Sequence, residues 1–127
     1  RATQLWTAVG AQVLTMTPQE HDSAFAAVSH LPHLLAFAFI NGIAEQPDGA
    51  RMLERGGTGF RDFSRIAASD PAVWRDILLA NREQVLLQSQ AFRKTLMQFE
   101  ALLAAGDAQA LEEAIEGARR TRSQWRG

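Results

Sequence analysis

The chain has 127 residues, of which 46% are hydrophobic and 21% charged, enough for one domain with a real core, since roughly two-thirds of the unfolded surface is buried at this size. Thirteen Lys and Arg against fourteen Asp and Glu give a formal charge of −1, so neither a basic footprint for nucleic acid nor an acidic tail is present. The lack of cysteine removes disulfides, thiol nucleophiles and zinc–thiolate sites and fits a reducing cytoplasm; the longest apolar run, Leu34–Ile40, is far short of the ~18 residues that read as a membrane span.

Apolar residues recur at helical spacing throughout, and no alternating strand pattern competes with them. The predicted fold class is all-α, a helical bundle. A first helix is predicted from about Ala2 to Thr15 on Leu5, Trp6, Val9, Val13 and Leu14; the chain starts inside this pattern without a Met, which reads as a piece of a longer protein. In "TPQE" Thr17 can cap, Pro18 suits the first helical position, and Glu20 sits where a capping-box carboxylate reaches back. The second helix then runs from Pro18 to about Glu45, with a kink near Pro32, whose ring clashes with the Val28 carbonyl. "QPDGARMLERGGTGF" reads as loop with one helical turn, its Gly56, Gly57 and Gly59 allowing unusual backbone shapes. A short helix, Phe60 to Ala68, follows. "SDP" repeats the start signal, with Ser69 or Asp70 as cap and Pro71 at the first helical position. Nothing then breaks the pattern until Gly106, the glycine expected just past a helix end. Asp107 caps a last helix, to about Trp125. No internal repeat or domain boundary is visible, so residues 1–127 read as one domain.

The predicted helix from Pro71 to Ala105 would be roughly 50 Å long, against a radius of gyration of ~14 Å for a compact chain of this size. Its apolar residues exceed one stripe: Trp74, Leu78, Val85, Phe92, Leu96, Phe99 and Leu103 share a face, with Val73, Ile77, Leu87 and Ala91 beside it. A surface helix needs one apolar face only. One very long helix with excess apolar surface implies a second copy packed on it, an intertwined homodimer. The alternative is a single bent helix or a break near Asn81.

All three histidines lie in "HDSAFAAVSHLPH". On a helix Asp22, Ser29 and His33 share a stripe, His30 lies a quarter-turn away and His21 on the other flank. His30 and His33 have the spacing to share a metal, but no further ligand completes a set, and no metal site is assigned. Ser29 lacks the glycine pattern of a nucleophile elbow. His21 and Asp22 fit a helix start, whereas Ser29 and His33 sit beside a proline that frees a carbonyl, a place suited to a ligand. In the second constellation, "GGTGFRDFSRIAASDP", Asp62 and Arg65 are i, i+3 neighbours and Arg65 sits among Phe63, Ile66 and Ala67. A partly enclosed guanidinium wants a carboxylate, either Asp62 or a bound anion.

"HDSAFAAVSHLPHLLAFAF" followed by "GFRDFSRIAASDPAVWRDILLANRE" resembles the C-terminal dimerisation domain of the prephenate and arogenate (cyclohexadienyl) dehydrogenases, and "LWTAVGAQVLTMTPQEHD" resembles the passage into that domain. The resemblance covers nearly the whole chain. It implies an NAD- or NADP-dependent oxidoreductase of tyrosine biosynthesis that takes a hydride from prephenate or arogenate as the ring carboxylate leaves as carbon dioxide. It further implies that the dinucleotide and the catalytic His belong to an N-terminal nucleotide-binding domain absent from this chain, so that the chain binds no cofactor and is inactive alone. By the family's pattern Ser29 and His33 lie beside the substrate, Arg65 holds a substrate carboxylate, Asp62 positions Arg65, and Trp74 lies near the dimer interface and the partner's site; with His30 these are the six expected substrate-binding residues. The expected partners are a second copy and the small-molecule substrate, with no nucleic acid and no membrane, in the cytoplasm. A non-catalytic helical dimerisation or interaction module is the alternative function.

Overall fold

The computed structural model describes residues 15–127, and almost all of the predicted first helix lies outside them. Every regular element among the described residues is helical, as the periodicity requires. Helix α1 (Pro18–Phe25) begins on the predicted capping box: the Thr17 hydroxyl accepts from Glu20 N at 3.1 Å and Thr17 N donates to the Glu20 carboxylate at 2.7 Å. A π-turn (Ala26–His30) links it to α2 (Leu31–Ala44). The predicted kink thus takes the form of a wide turn ending just before Pro32, where Leu31 N donates five residues back to Ala26 O. A proline ring disfavours a regular turn against the carbonyl four residues back, and an inserted π-turn is a known way for a helix to absorb such a residue.

Helix α2 is the hub of this part of the chain, packing against the π-turn, α3 (Gly49–Glu54), α4 (Thr58–Ser64) and the 3₁₀ turn Arg65–Ala68. Gly49 is buried, and a Cβ there would collide with the carbonyls of Ile43 and Ala44; only glycine lets α3 approach so closely. Phe39 meets Phe60 and Phe63 with ring centroids 5.9 and 5.2 Å apart, at separations favourable for aromatic pairs.

The helix predicted as continuous from Pro71 to Ala105 is divided. Helix α5 (Pro71–Ala80) starts on Asp70, whose carboxylate accepts from Val73 N at 2.9 Å, and ends at Asn81, whose φ and ψ of −114° and 32° leave the helical region. Helix α6 then runs from Arg82 to Ala105 and is the longest uninterrupted α-helix among the described residues. It closes on Gly106 at φ 66°, with Gly106 N on Leu103 O and Asp107 N on Leu102 O, the paired bonds of a Schellman cap. Asp107 caps α7 (Ala108–Gln124) through Ala110 N at 3.1 Å.

Two compact units divide after Gln88, inside α6. In the first, Ala26, Leu31, Ala36 and Val85 are the buried apolar residues. In the second, Ser89–Gly127, no residue is buried, and Phe92, Leu96, Met97, Leu103 and Ile115 are all exposed. The run Pro18–Ala44 is also sparsely covered, with 17% of its most apolar window buried, and by length and composition alone it would suffice to cross a bilayer. That differs from the sequence estimate because α1, the π-turn and α2 join into one helical run, whereas Leu34–Ile40 counts only the uninterrupted apolar residues.

Candidate functional site

The π-turn places Ser29, His30 and His33 where α1 and α2 join, and α5 brings Trp74 against them. The His33 ring lies flat on the Trp74 indole, with centroids 3.5 Å apart and planes 12° from parallel. His30 meets the edge of the same indole at 6.1 Å. Phe37, one turn beyond His33, makes a further edge contact with Trp74 at 6.5 Å.

His33 Nδ1 bonds the backbone carbonyl of Ser29 at 2.9 Å. A carbonyl only accepts, so Nδ1 carries the proton in every charge state, and Nε2 of the neutral ring is an acceptor. What Ser29 contributes to His33 is therefore its backbone oxygen. His30 Nδ1 lies 3.2 Å from the side-chain nitrogen of Asn81, which also donates to the backbone carbonyl of Asp22 at 2.8 Å. Burial first, then the charge of His33, lowers the pKa of His30 below its ordinary 6.5; Asp22 opposes this and His21 adds to it. His21 stacks on Phe25 at 4.2 Å and approaches the Asp22 carboxylate at 3.5 Å, both at the exposed helix start where the sequence puts them.

Beside this cluster a cleft of about 310 Å³ opens between α2 and the segment that carries α5, walled by Phe37, Ile40 and Trp74, with Asn41, Ser69 and Arg75 as its polar groups. Trp74 thus belongs both to the histidine cluster and to the cleft.

The other predicted pair differs from its expected form. Arg65 is exposed rather than partly enclosed, and the ion pairs among the described residues, His21–Asp22, Arg75–Asp76 and Arg119–Glu116, do not include it with Asp62. The chain tightens from α-helix to 3₁₀ turn at Arg65, and for two exposed side chains the Coulomb gain barely offsets the entropy of holding them together. Four of the six predicted site residues, Ser29, His30, His33 and Trp74, are brought together; Asp62 and Arg65 lie outside their contacts. Asn81, which ties the cluster together, is the residue that sequence reasoning missed as part of it. Its signal was a residue of low helix propensity between two amphipathic stretches, where a break was the alternative reading.

The sequence profile of the prephenate dehydrogenase dimerization domain matches residues 17–117. The chain belongs to that family. Among curated members it is 39% identical over 77 residues to the prephenate dehydrogenase of Bacillus subtilis, covering 60% of this chain and 21% of that protein. It is 29% identical over 119 residues to the cyclohexadienyl dehydrogenase of Zymomonas mobilis, covering 92% and 41%. The chain therefore spans less than half the length of these relatives.

Solved dehydrogenases of the family are similar in structure as well. The prephenate dehydrogenase of Aquifex aeolicus, in complex with hydroxyphenyl propionate and NAD+, superposes with a TM-score of 0.83 at 36% identity over 97% of this chain and 43% of that one. The arogenate dehydrogenase of Synechocystis gives a TM-score of 0.84 at 26% identity, over 95% and 45%. The all-α architecture read from the periodicity is thus the architecture of the family's dimerization domain.

Proposed function

We propose that this chain is a single domain serving as the substrate-binding and dimerisation half of a prephenate or arogenate dehydrogenase. The enzyme would perform an oxidative decarboxylation in tyrosine biosynthesis, using NAD or NADP held by a nucleotide-binding domain outside this chain. The observation that carries the reading is the likeness, over nearly all of the chain, to the Aquifex aeolicus enzyme whose structure holds hydroxyphenyl propionate and NAD+.

The described residues do not themselves fit a dinucleotide. Its cradle is a strand, a glycine-rich turn and a helix N-terminus, whereas Gly57 precedes the seven-residue α4 with no strand before it among the described residues. The chain alone should accordingly bind neither NAD nor NADP and should not turn over.

What this chain would supply is a half-site for an anionic ring compound. Prephenate and arogenate carry carboxylates, and the Arg65 guanidinium, exposed and outside the ion pairs among the described residues, offers a planar fork for one of them. Asp62, three residues away, would orient that fork once a ligand orders it. The His33 ring, held on Trp74 and on the Ser29 carbonyl, has Nε2 left over to meet a hydroxyl, and His30 flanks it.

The homodimer follows from the uncovered apolar surface. Phe92, Leu96 and Leu103 lie along one face of α6 at 37%, 43% and 64% exposure, and a second copy of the chain is the occupant that the family description favours. On this reading the apolar surface of Pro18–Ala44 is also covered by protein rather than lipid, and the enzyme is soluble and cytoplasmic, with no nucleic acid partner.

The test is oxidation of prephenate and of arogenate by the full-length protein, followed as reduced nicotinamide with each cofactor. Turnover of either substrate is the expected result. A full-length protein that dimerises and binds dinucleotide but oxidises neither would leave the non-catalytic interaction module as the better description.

A further inference from the structure

Three features outside the roles assigned above invite a reading: the cleft walled by Phe37, Ile40 and Trp74, the arginines near the end of α7, and the polar knot at Asn81. The knot carries an inference furthest, because its hydrogen bonds fix which atom bears a proton.

The Asn81 side-chain atom 2.8 Å from the Asp22 carbonyl must be the amide nitrogen, since an oxygen there would face another acceptor. That orientation needs no assumption about the histidine. The same nitrogen lies 3.2 Å from His30 Nδ1, and among the described residues that ring nitrogen is the partner the structure gives its second hydrogen. An NH2 group cannot accept, so Nδ1 of His30 must be bare.

We propose that Asn81 is a positioning residue that locks His30 as the Nε2–H tautomer, while the Ser29 carbonyl locks His33 as the opposite, Nδ1–H, tautomer. Two imidazoles three residues apart thereby have distinct and fixed roles at Nε2: His30 can only donate, and neutral His33 can only accept. One ligand hydroxyl and one ligand carbonyl or carboxylate oxygen are the complementary groups. The break between α5 and α6 is part of the same device, since Asn81 reaches Asp22, 59 residues away in sequence, from a residue that has left helical geometry. Of the charged groups that face His30 from its own helical run, His33 and His21 disfavour its protonation and Asp22 alone opposes them, while Trp74 and Asn81, from α5 and its end, carry no charge.

The tautomer assignment stands on hydrogen-bond geometry alone; its effect on catalysis rests on the substrate half-site proposed above, and the experiment separates the two. In the full-length protein labelled with ¹⁵N-histidine, nitrogen shifts near neutral pH should show a bare Nδ1 on His30 and a bare Nε2 on His33. Asn81→Asp replaces the donor with a carboxylate, and should move the His30 proton to Nδ1 and raise its titration. Asn81→Ala removes the amide without adding charge, and should give His30 a mixture of tautomers. A wild-type His30 that carries its proton on Nδ1 would overturn the assignment even if both variants failed to fold, and so would an Asn81→Asp protein with unmoved His30 shifts. In steady-state kinetics Asn81→Asp should lower kcat/KM for the ring substrate about tenfold, the effect of one hydrogen bond, with the dinucleotide KM unchanged. A tautomer switch without that fall would sustain the assignment and remove the half-site reading.

Discussion

Two stretches of this chain solve the burial problem in opposite ways. In Pro18–Ala44 the disturbed turn is answered from within the chain: Ser29 O takes His33, Asn81 takes Asp22 O and His30, and Trp74 covers His33. In Ser89–Gly127 the local rules are obeyed equally well, with a Schellman close at Gly106 and an Asp107 cap, yet no residue is buried. Caps and propensity shape a helix, whereas packing of its apolar face supplies most of its stability. The first stretch holds its own polar site, and the second presents an apolar surface that the proposed dimer would cover.

The largest effect should come from breaking the second stretch. Phe92→Glu combined with Leu96→Glu should turn the dimer into monomer, because each buried Phe or Leu contributes about 1.5–3 kcal/mol and each occurs twice at a two-fold interface. Sedimentation equilibrium at micromolar concentration reads the change. A wild-type chain that is already monomeric there would erase the contrast between the two stretches.

Next in size is the charge beside the first stretch. Arg65→Ala in the full-length enzyme should lower kcat/KM by roughly ten- to a hundredfold, the loss of a charge-assisted contact of about 1.5–3 kcal/mol. Arg65→Lys should rescue it poorly, since an ammonium lacks the planar fork. His33→Ala should harm the same substrate terms and spare the dinucleotide KM, while His21→Ala, at the exposed helix start, should act on the melting temperature instead. An Arg65→Ala enzyme within about twofold of wild type, well under ~1 kcal/mol, would leave the proposed half-site without its cation.

A smaller effect tests whether the first stretch depends on its own start. Thr17→Ala removes the hydroxyl half of the capping box and should cost about 1 kcal/mol. Thermal melts would show it as a drop of a few degrees with no change in substrate KM.

The smallest effect is one of pH. Because the folded state lowers the pKa of His30, the folded protein binds fewer protons than the unfolded one at this site. The stabilisation is present above the ordinary value of 6.5 and is lost as pH falls from there through the folded value. His30→Gln should therefore flatten the acid side of the stability profile below the ordinary value of 6.5, measured by denaturant titration. An identical acid slope in both proteins would mean that His30 is not held neutral by the fold.

Much of the architecture was legible in the chain itself, because its signals are local. The capping box at Thr17, the proline starts at Pro18 and Pro71, the Asp70 and Asp107 caps and the Gly106 close all depend on residues within a turn of one another, and all are in place. Ser29, His30 and His33 could be singled out because Pro32 advertises a distorted turn. The missing salt link between Asp62 and Arg65 was not legible, since i, i+3 spacing permits an ion pair but solvent decides whether it forms.

The sequence by itself determined that the described residues are helical, that helices begin at Pro18, Pro71 and after Asp107, and that one closes at Gly106, because hydrophobic period and capping chemistry act over a few residues. Only the tertiary structure decided that Pro71–Ala105 divides at Asn81, that His33 lies on Trp74, and that His30 faces an amide. The apolar pattern runs straight through Asn81 without a Pro or Gly to mark a break. What marks it in the fold is a hydrogen bond to the Asp22 carbonyl, 59 residues away, and no local rule contains a partner that distant.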